Sequence, residues 1–299
     1  MAEIPAAEVR IDAALVSRLL AEQCPHHADS HVEAFGHGWD NDIYALGPDL
    51  LVRLPRRRAA AILIENEIAF LPRLAPRLPF PVPVPVFAGR PGAGYPWRWT
   101  LVPRLPGHSA ADVPVDGRAG AATELAAFLT ALHVPADPDA PLNPFRGVPL
   151  AARADGWLPR IRAVAGESAL ADWQRAASVP AWSGPSLWLH GDPHPMNLLL
   201  GADGGLAGVL DFGDICAGDP ASDLAVAWLA FDAVARARFR AQCDLSGIYD
   251  AAIWTRAWAW ALGLAAVFAQ SSDNMPALAR IARHGLTETL ADAEFTRAL

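Results

Sequence analysis

Apolar and polar positions alternate along the first third of the chain in short bursts. Residues 32–35, 43–46 and 50–54 are apolar runs of strand length. Turn-forming stretches, Gly36 to Asp42 and Gly47-Pro48-Asp49, separate them, which predicts an antiparallel meander. Two helical patterns flank it, at residues 8–24 (Val9, Ala13, Val16, Leu19 and Leu20 on one face) and 59–74. Residues 76–85 carry five prolines and run extended, so a strand at 83–87 is possible only at a sheet edge. Residues 97–102 predict a further strand, ended by Pro103 to Gly107. Beyond it the period lengthens. Helices are expected at 120–134, around 151–179, and at 221–241, 250–270 and 275–297.

One stretch in that second part breaks the helical period. Three apolar runs, 187–189, 198–200 and 206–210, are separated by His190-Gly191-Asp192 with Pro193 and Pro195, and by the glycine-rich turn 201–205. Each proline removes an N–H and turns the preceding residue away from helix. Asp203-Gly204 is a hairpin signal. The pattern therefore brings Asp192, Asn197 and Asp211 to the rim of one hairpin-like unit. Two carboxylates and an amide at one rim suit phosphoryl transfer. One acid orients a hydroxyl and takes its proton, while hard oxygen ligands hold Mg²⁺ on nucleotide phosphates. An isolated Asp after a strand is more often a turn residue; it is the combination that carries weight.

The spacing H-G-D-x-x-x-x-N followed by L-D-F-G is that of a kinase catalytic loop and metal loop. The chain resembles the aminoglycoside phosphotransferase family, kinase-like enzymes that modify small antibiotics. His190, Gly191, Asp192, His194 and Asn197 match its H-G-D-x-H-x-x-N motif. Val209-Leu210-Asp211 match the second motif, and Gly218, Asp219, Pro220, Asp223, Leu224 and Ala225 the third. The resemblance implies an α+β, bilobal protein-kinase-like fold. Residues 1–104 would form a small antiparallel-sheet lobe that binds the nucleotide, and residues 105–299 a larger, mainly helical catalytic lobe. It implies Asp192 as catalytic base and Asn197 and Asp211 as Mg²⁺ ligands. ATP or GTP would be the phosphate donor. Gly36, Gly38 and Asn41 would lie over its phosphates, and Leu101, Val102 and Arg104 would offer hinge groups to its base. His190, His194, Asp219 and Asp223 would support the loop from behind.

Two departures stand out. The glycine turn is not G-x-G-x-x-G, and the third strand carries Arg53 where kinases carry a lysine. The 24 basic residues are all arginine. Arg is a fork and Lys a point charge, so the two are not interchangeable. The family often shows L-R-x-P here, which assigns Arg53 to the phosphates. Its acidic partner is then Glu67, with Glu65 as the fallback. Arg56, Arg57 and Arg58 read as a solvated loop.

Charge and cysteines narrow the rest. A net charge of −8 disfavours nucleic acid and is compatible with a cationic acceptor. The longest apolar segment, 257–269, is too short to cross a membrane, and the opening residues predict no secretion signal. Three scattered cysteines point to reduced thiols and a cytoplasmic monomer or homodimer. Cys24, His26, His27, Asp29 and His31 cluster in sequence but lack the spacing of a structural zinc site. Trp228, Trp254, Trp258, Trp260 and Phe268 read as core. Arg153, Asp155, Trp157 and Arg160 are acceptor contacts by position only. His133 reads as a structural residue ending its helix. An aminoglycoside is the family-level acceptor; a macrolide, an endogenous hydroxyl compound, or a catalytically inactive nucleotide binder are the alternatives.

Overall fold

A computed structural model describes residues 6–296. The first five residues of the expected small lobe, and residue 297 of the expected last helix, lie outside the described residues. Helix α1 (Ala13–Gln23) starts five residues later than its apolar stripe suggests. Asp12 caps it by accepting from the Leu15 N–H at 2.9 Å, which fixes the start; residues before it extend, and the Glu8 N–H reaches the Arg56 carbonyl.

Strands β1 (Val32–His37), β2 (Asn41–Leu46) and β3 (Leu50–Pro55) form the expected meander. Helix α2 (Arg58–Leu74) follows. Strand β4 (Phe87–Gly89) sits at the sheet edge beside β5 (Trp99–Pro103), in the order β1-β2-β3-β5-β4. It begins after Pro85 rather than at Pro83. The prolines have no N–H to give the ladder, and the Val86 N–H makes the first bond, to the Leu101 carbonyl at 2.8 Å. One sheet face packs on α1 through Leu15, Val16, Leu19, Tyr44, Val52 and Trp99.

After residues 104–107 the chain joins a second layer. Strand β6 (His108–Ser109) pairs with β8 (Leu198–Leu200), which pairs with β9 (Leu206–Val209). Between them come α3 (Ala121–Leu132), α4 (Ala154–Ala177) and β7 (Leu187–Leu189); β7 pairs with β10 (Cys216–Gly218). Helix α4 is two helices joined at Gly166, whose φ is 85°. The continuous helix expected at 221–241 is three: α5 (Ala221–Leu224), α6 (Val226–Ala230) and α7 (Ala233–Asp244). Phe231 is extended there, and the Asp232 carboxylate restarts the helix by capping the Ala235 N–H at 2.8 Å. Helices α8 (Ile253–Gln270), α9 (Pro276–Ala291) and α10 (Ala293–Thr296) complete the chain.

Trp228, Trp254, Trp258, Trp260 and Phe268 are all buried in the larger core, as their pattern predicts. Trp258 and Trp173 each give the indole N–H to a backbone carbonyl, of Thr289 and Ala259. Among the described residues no helix is long and apolar enough to cross a membrane, the three cysteines are unpaired, and no three histidine, cysteine or acidic groups gather as a metal site.

Candidate active site

The loop from β7 to β8 carries His190 to Asn197. Gly191 has φ +89°, and a Cβ there would lie 2.2 Å from the Asp214 carbonyl oxygen. Only glycine lets the loop cross so close to the chain that follows Asp211. Asp223, fully buried, accepts the N–H groups of His190 (2.7 Å) and Gly191 (2.9 Å) and also bonds His133 Nε2 at 3.2 Å. His133 in turn reaches the Tyr249 hydroxyl. His190 Nε2 donates to the Leu210 carbonyl at 2.8 Å, so its Nδ1 is free to accept the Asp192 N–H at 3.2 Å. The imidazole thus spans both sides of the rim, and its ring packs on Phe212 at 4.6 Å.

Asp192 is held by a guanidinium and an imidazole, the latter with its Nδ1 accepting the Met196 N–H at 3.2 Å. Arg146 Nη2 donates to Oδ1 at 2.8 Å and His194 Nε2 lies 3.3 Å from Oδ2. Burial alone would raise its pKa; the Arg146 guanidinium and then His194 outweigh it and hold the carboxyl well below the usual range. The side chain keeps 23% exposure, enough to meet a ligand. Asn197 donates its amide to the Asp192 carbonyl at 3.0 Å, and its own carbonyl accepts the Leu210 N–H.

Asp211 has φ +61°, a left-handed conformation that Asp tolerates better than most residues. Its carboxylate is 51% exposed and 3.4 Å from Arg53 Nη2. Arg53 also pairs with Glu67, which is 1% exposed and accepts the Phe212 N–H at 2.9 Å through its other oxygen. One carboxylate therefore ties β3, α2 and the Asp211 loop together. Burial would lower the Arg53 pKa, but Glu67 and Asp211 raise it above its ordinary value. Glu65 faces outward and pairs with Arg98 at 3.2 Å.

The loop between β1 and β2 is closed by a backbone bond and two ion pairs. The Gly38 N–H bonds the Asn41 carbonyl at 2.9 Å, while Gly36 has open space around it. Arg57 pairs with Asp40 at 2.8 Å and Arg56 with Asp42 at 3.2 Å. The expectation of solvated arginines at 56 and 57 fails: their side chains are only 15% and 18% exposed because the loop acids draw them in. Asp40 is pushed up to about 6 by burial and then by Asp211, with Arg57 opposing and Asp214 adding to the rise.

Leu101 and Val102 are buried in β5. The Leu101 carbonyl is taken by Val86, and the Arg104 N–H by the Asp49 carbonyl at 2.7 Å. The Arg104 guanidinium stacks on Phe35 at 4.8 Å. Among the described contacts, none of the three touches Asp192, Asn197 or Asp211. Asp219, placed behind the loop, pairs with buried Arg256 at 2.7 Å.

Sequence reasoning missed Arg146, Asp214 and Asp40. Asp214 accepts from Asn143 at 2.7 Å, and burial raises its pKa, with Arg146 opposing and Asp192 adding to the rise. Asp214 and Asp40 sit within or beside motifs already singled out. Arg146 lies in a proline-rich loop with no periodicity. Its one signal is Gly147: a Cβ on Gly218 would lie 2.3 Å from the Gly147 carbonyl oxygen, so the G-D-P motif is what presses the Arg146 loop home.

The model of the APH phosphotransferase enzyme family matches residues 31–262. The chain belongs to that family. Among solved structures, the GDP complex of wild-type aminoglycoside 2'-phosphotransferase-IIIa aligns with a TM-score of 0.69 at 18% identity, covering 93% of this chain and 99% of that one. A GDP and kanamycin complex of the related APH(2")-IIIa gives 0.64 at 18% identity, with 93% and 98% covered. Macrolide 2'-phosphotransferase type I gives 0.59 at 23% identity, with 92% and 98% covered. At these identities the likeness speaks for the fold: this APH-family chain is α+β and kinase-like, a five-stranded antiparallel sheet followed by a helical part. Comparison with curated proteins finds no match.

Proposed function

We propose that this APH-family protein moves the γ-phosphate of a nucleoside triphosphate, ATP or GTP, to a hydroxyl of a small molecule. The lobes would meet near residue 105 and hold the nucleotide between them. The observation that carries the reading is the half-open Asp192 carboxylate, fixed by Arg146 and His194 beside the Asp211 loop. Kept ionised, Asp192 orients the acceptor hydroxyl and takes its proton as the phosphoryl group arrives.

The residues present fit Mg²⁺. Asp211 offers an exposed carboxylate, and the Asn197 amide nitrogen is engaged with the Asp192 carbonyl, which leaves its Oδ1 as the unengaged atom. Two protein donors suit Mg²⁺, which keeps several waters and takes its remaining oxygens from phosphates. When bound, Mg²⁺ neutralises phosphate charge. Arg53, set by Glu67, would steady the nucleotide phosphates. Gly36, Gly38 and Asn41 supply the loop above them, and Leu101 to Arg104 the segment nearest the base.

Family and neighbours suggest an aminoglycoside acceptor, as in the kanamycin complex. One observation favours a less cationic compound. Arg153 has no carboxylate partner among the described residues, and its pKa is lowered by burial and then by Arg146 and Arg160. An unpaired arginine within electrostatic reach of Arg146, which holds Asp192, would repel a polycation. A neutral or singly charged acceptor, of macrolide type, is then the second reading. An inactive nucleotide binder is the rival to both, motivated by the missing lysine; the Arg53–Glu67 pair and the retained Asp192, Asn197 and Asp211 speak against it. An acceptor panel run with ATP and with GTP in the presence of Mg²⁺ tests the proposal. Phosphate transfer to any acceptor supports it; nucleotide binding without hydrolysis or transfer assigns the inactive binder. We place the protein in the cytoplasm, in line with its unpaired cysteines.

A further inference from the structure

Behind the β6–β8 side of the larger lobe lies a cavity of about 360 Å³ between the 110–118 segment and α9. None of the residues lining it belongs to the group around Asp192 and Asp211. Its walls include Val113, Pro114 and Ile281, and its polar groups are Arg118, Arg280 and His284.

Arg118 is the unusual member. It is 6% exposed, donates Nε to the Val113 carbonyl at 2.9 Å and Nη1 to the Ala230 carbonyl at 3.3 Å, and pairs with no carboxylate among the described residues. Buried charges are ordinarily paired, because removing an ion from water costs more than neutral acceptors return. The charge that acts on it is another cation: burial and then Arg280 lower the Arg118 pKa to about 10. Arg280 donates to the Ala111 carbonyl at 3.0 Å and reaches Asp112 at 3.3 Å, a carboxylate that is itself 70% exposed. His284 Nε2 bonds the Phe231 carbonyl at 3.1 Å, which fixes the proton on Nε2 and leaves Nδ1 without a protein partner. Among the lining residues, two guanidinium groups and one exposed acid leave one positive charge in excess, in a chain whose net charge is −8; Glu288, which faces His284 from α9, is paired with Arg236 at 2.6 Å.

We infer that this cavity is a binding site for a small ligand with an oxyanion head, phosphate or carboxylate, and an apolar body. Arg118 and Arg280 supply the fork geometry that suits either head. Val113, Pro114 and Ile281 cover the body, and the volume lies in the range of small-molecule sites. The site is independent of the phosphotransfer proposed above, and its test needs no turnover.

Isothermal titration of the full chain, saturated with ADP to fill the nucleotide cleft, is run at fixed ionic strength. The probes are phenyl phosphate, benzoate and the neutral benzyl alcohol. We expect one of the anions to bind at a single site at millimolar concentration or below, and benzyl alcohol not to bind. The tighter anion assigns the head group. Arg280→Gln should weaken binding by on the order of 10-fold, the scale of one charge-assisted hydrogen bond. Arg118→Gln should remove it, and if that variant does not fold, Arg280→Gln decides alone. Absence of binding by both anions overturns the inference, as does equal binding of benzyl alcohol or anion binding that Arg280→Gln leaves unchanged. Arg118 would then be only a pin between the Val113 and Ala230 carbonyls.

Discussion

At the residue scale, the centre is a balance of five carboxylates against three arginines. Asp40, Glu67, Asp192, Asp211 and Asp214 share the site with Arg53, Arg57 and Arg146, and each pairing has a consequence. Arg146→Met leaves Asp192 with His194 as its only side-chain partner; turnover should fall by about 10-fold or more, with Arg146→Lys recovering part of it. Steady-state kinetics on the two variants checks this, and equal rates in Arg146→Met and the parent would reject the role. Asp40 titrates near 6 in the folded chain against about 3.9 unfolded, so the native state holds the proton more tightly. Its contribution to stability is complete below pH 4 and is lost as the pH rises through 6, by up to about 3 kcal/mol. Urea unfolding of nucleotide-free protein between pH 4 and 7 should show this fall, and Asp40→Asn should flatten it. An unchanged slope in the variant would remove the assignment.

At the scale of elements, Glu67 joins three of them: β3 through Arg53, the Asp211 loop through the Phe212 N–H, and its own helix α2. Glu67→Gln keeps an acceptor for Phe212 but leaves buried Arg53 with Asp211 alone. Breaking a buried pair costs about 3–5 kcal/mol, and the remaining Asp211 contact places the expected loss near the lower figure. Chemical denaturation measures it; a loss under about 1 kcal/mol would mean the pair is not set as described. Gly191→Ala should be similarly harmful, because the methyl meets the Asp214 carbonyl at 2.2 Å on a backbone with φ +89°. Most elements were legible in their apolar period, and the misses have local causes. Asp12 starts a helix and Asp232 restarts one inside an apolar pattern, and period alone does not register a cap. Proline moved β4 by removing donors, a shift the sequence contained but the apolar run obscured.

At the scale of the whole molecule, the motifs reported which residues share a place but not what surrounds them. Asp192, Asn197 and Asp211 are separated by few residues, so their neighbourhood follows from local turns. Arg146, 46 residues from Asp192, arrives through the packing of Gly218 on Gly147, a long-range contact with no periodic trace. Arg153 feels both Arg146 and Arg160, a local excess of positive charge of which the net charge of −8 gave no hint. A consequence follows for acceptors: Arg153→Gln should lower KM for a polycationic acceptor and leave it unchanged for a neutral one, which initial-rate measurements on both would show. Identical KM values for the polycation in parent and variant would mean Arg153 does not meet the acceptor. In the proposed reaction Asp192 takes the proton of the acceptor hydroxyl as the γ-phosphate moves onto its oxygen. Transfer of labelled γ-phosphate to an acceptor panel, with Mg²⁺, by the parent and by folded Asp192→Asn is the most direct measurement. A labelled product is expected from the parent, with a rate lower by on the order of 10²-fold or more in the variant; equal rates in the two would rule Asp192 out as the base.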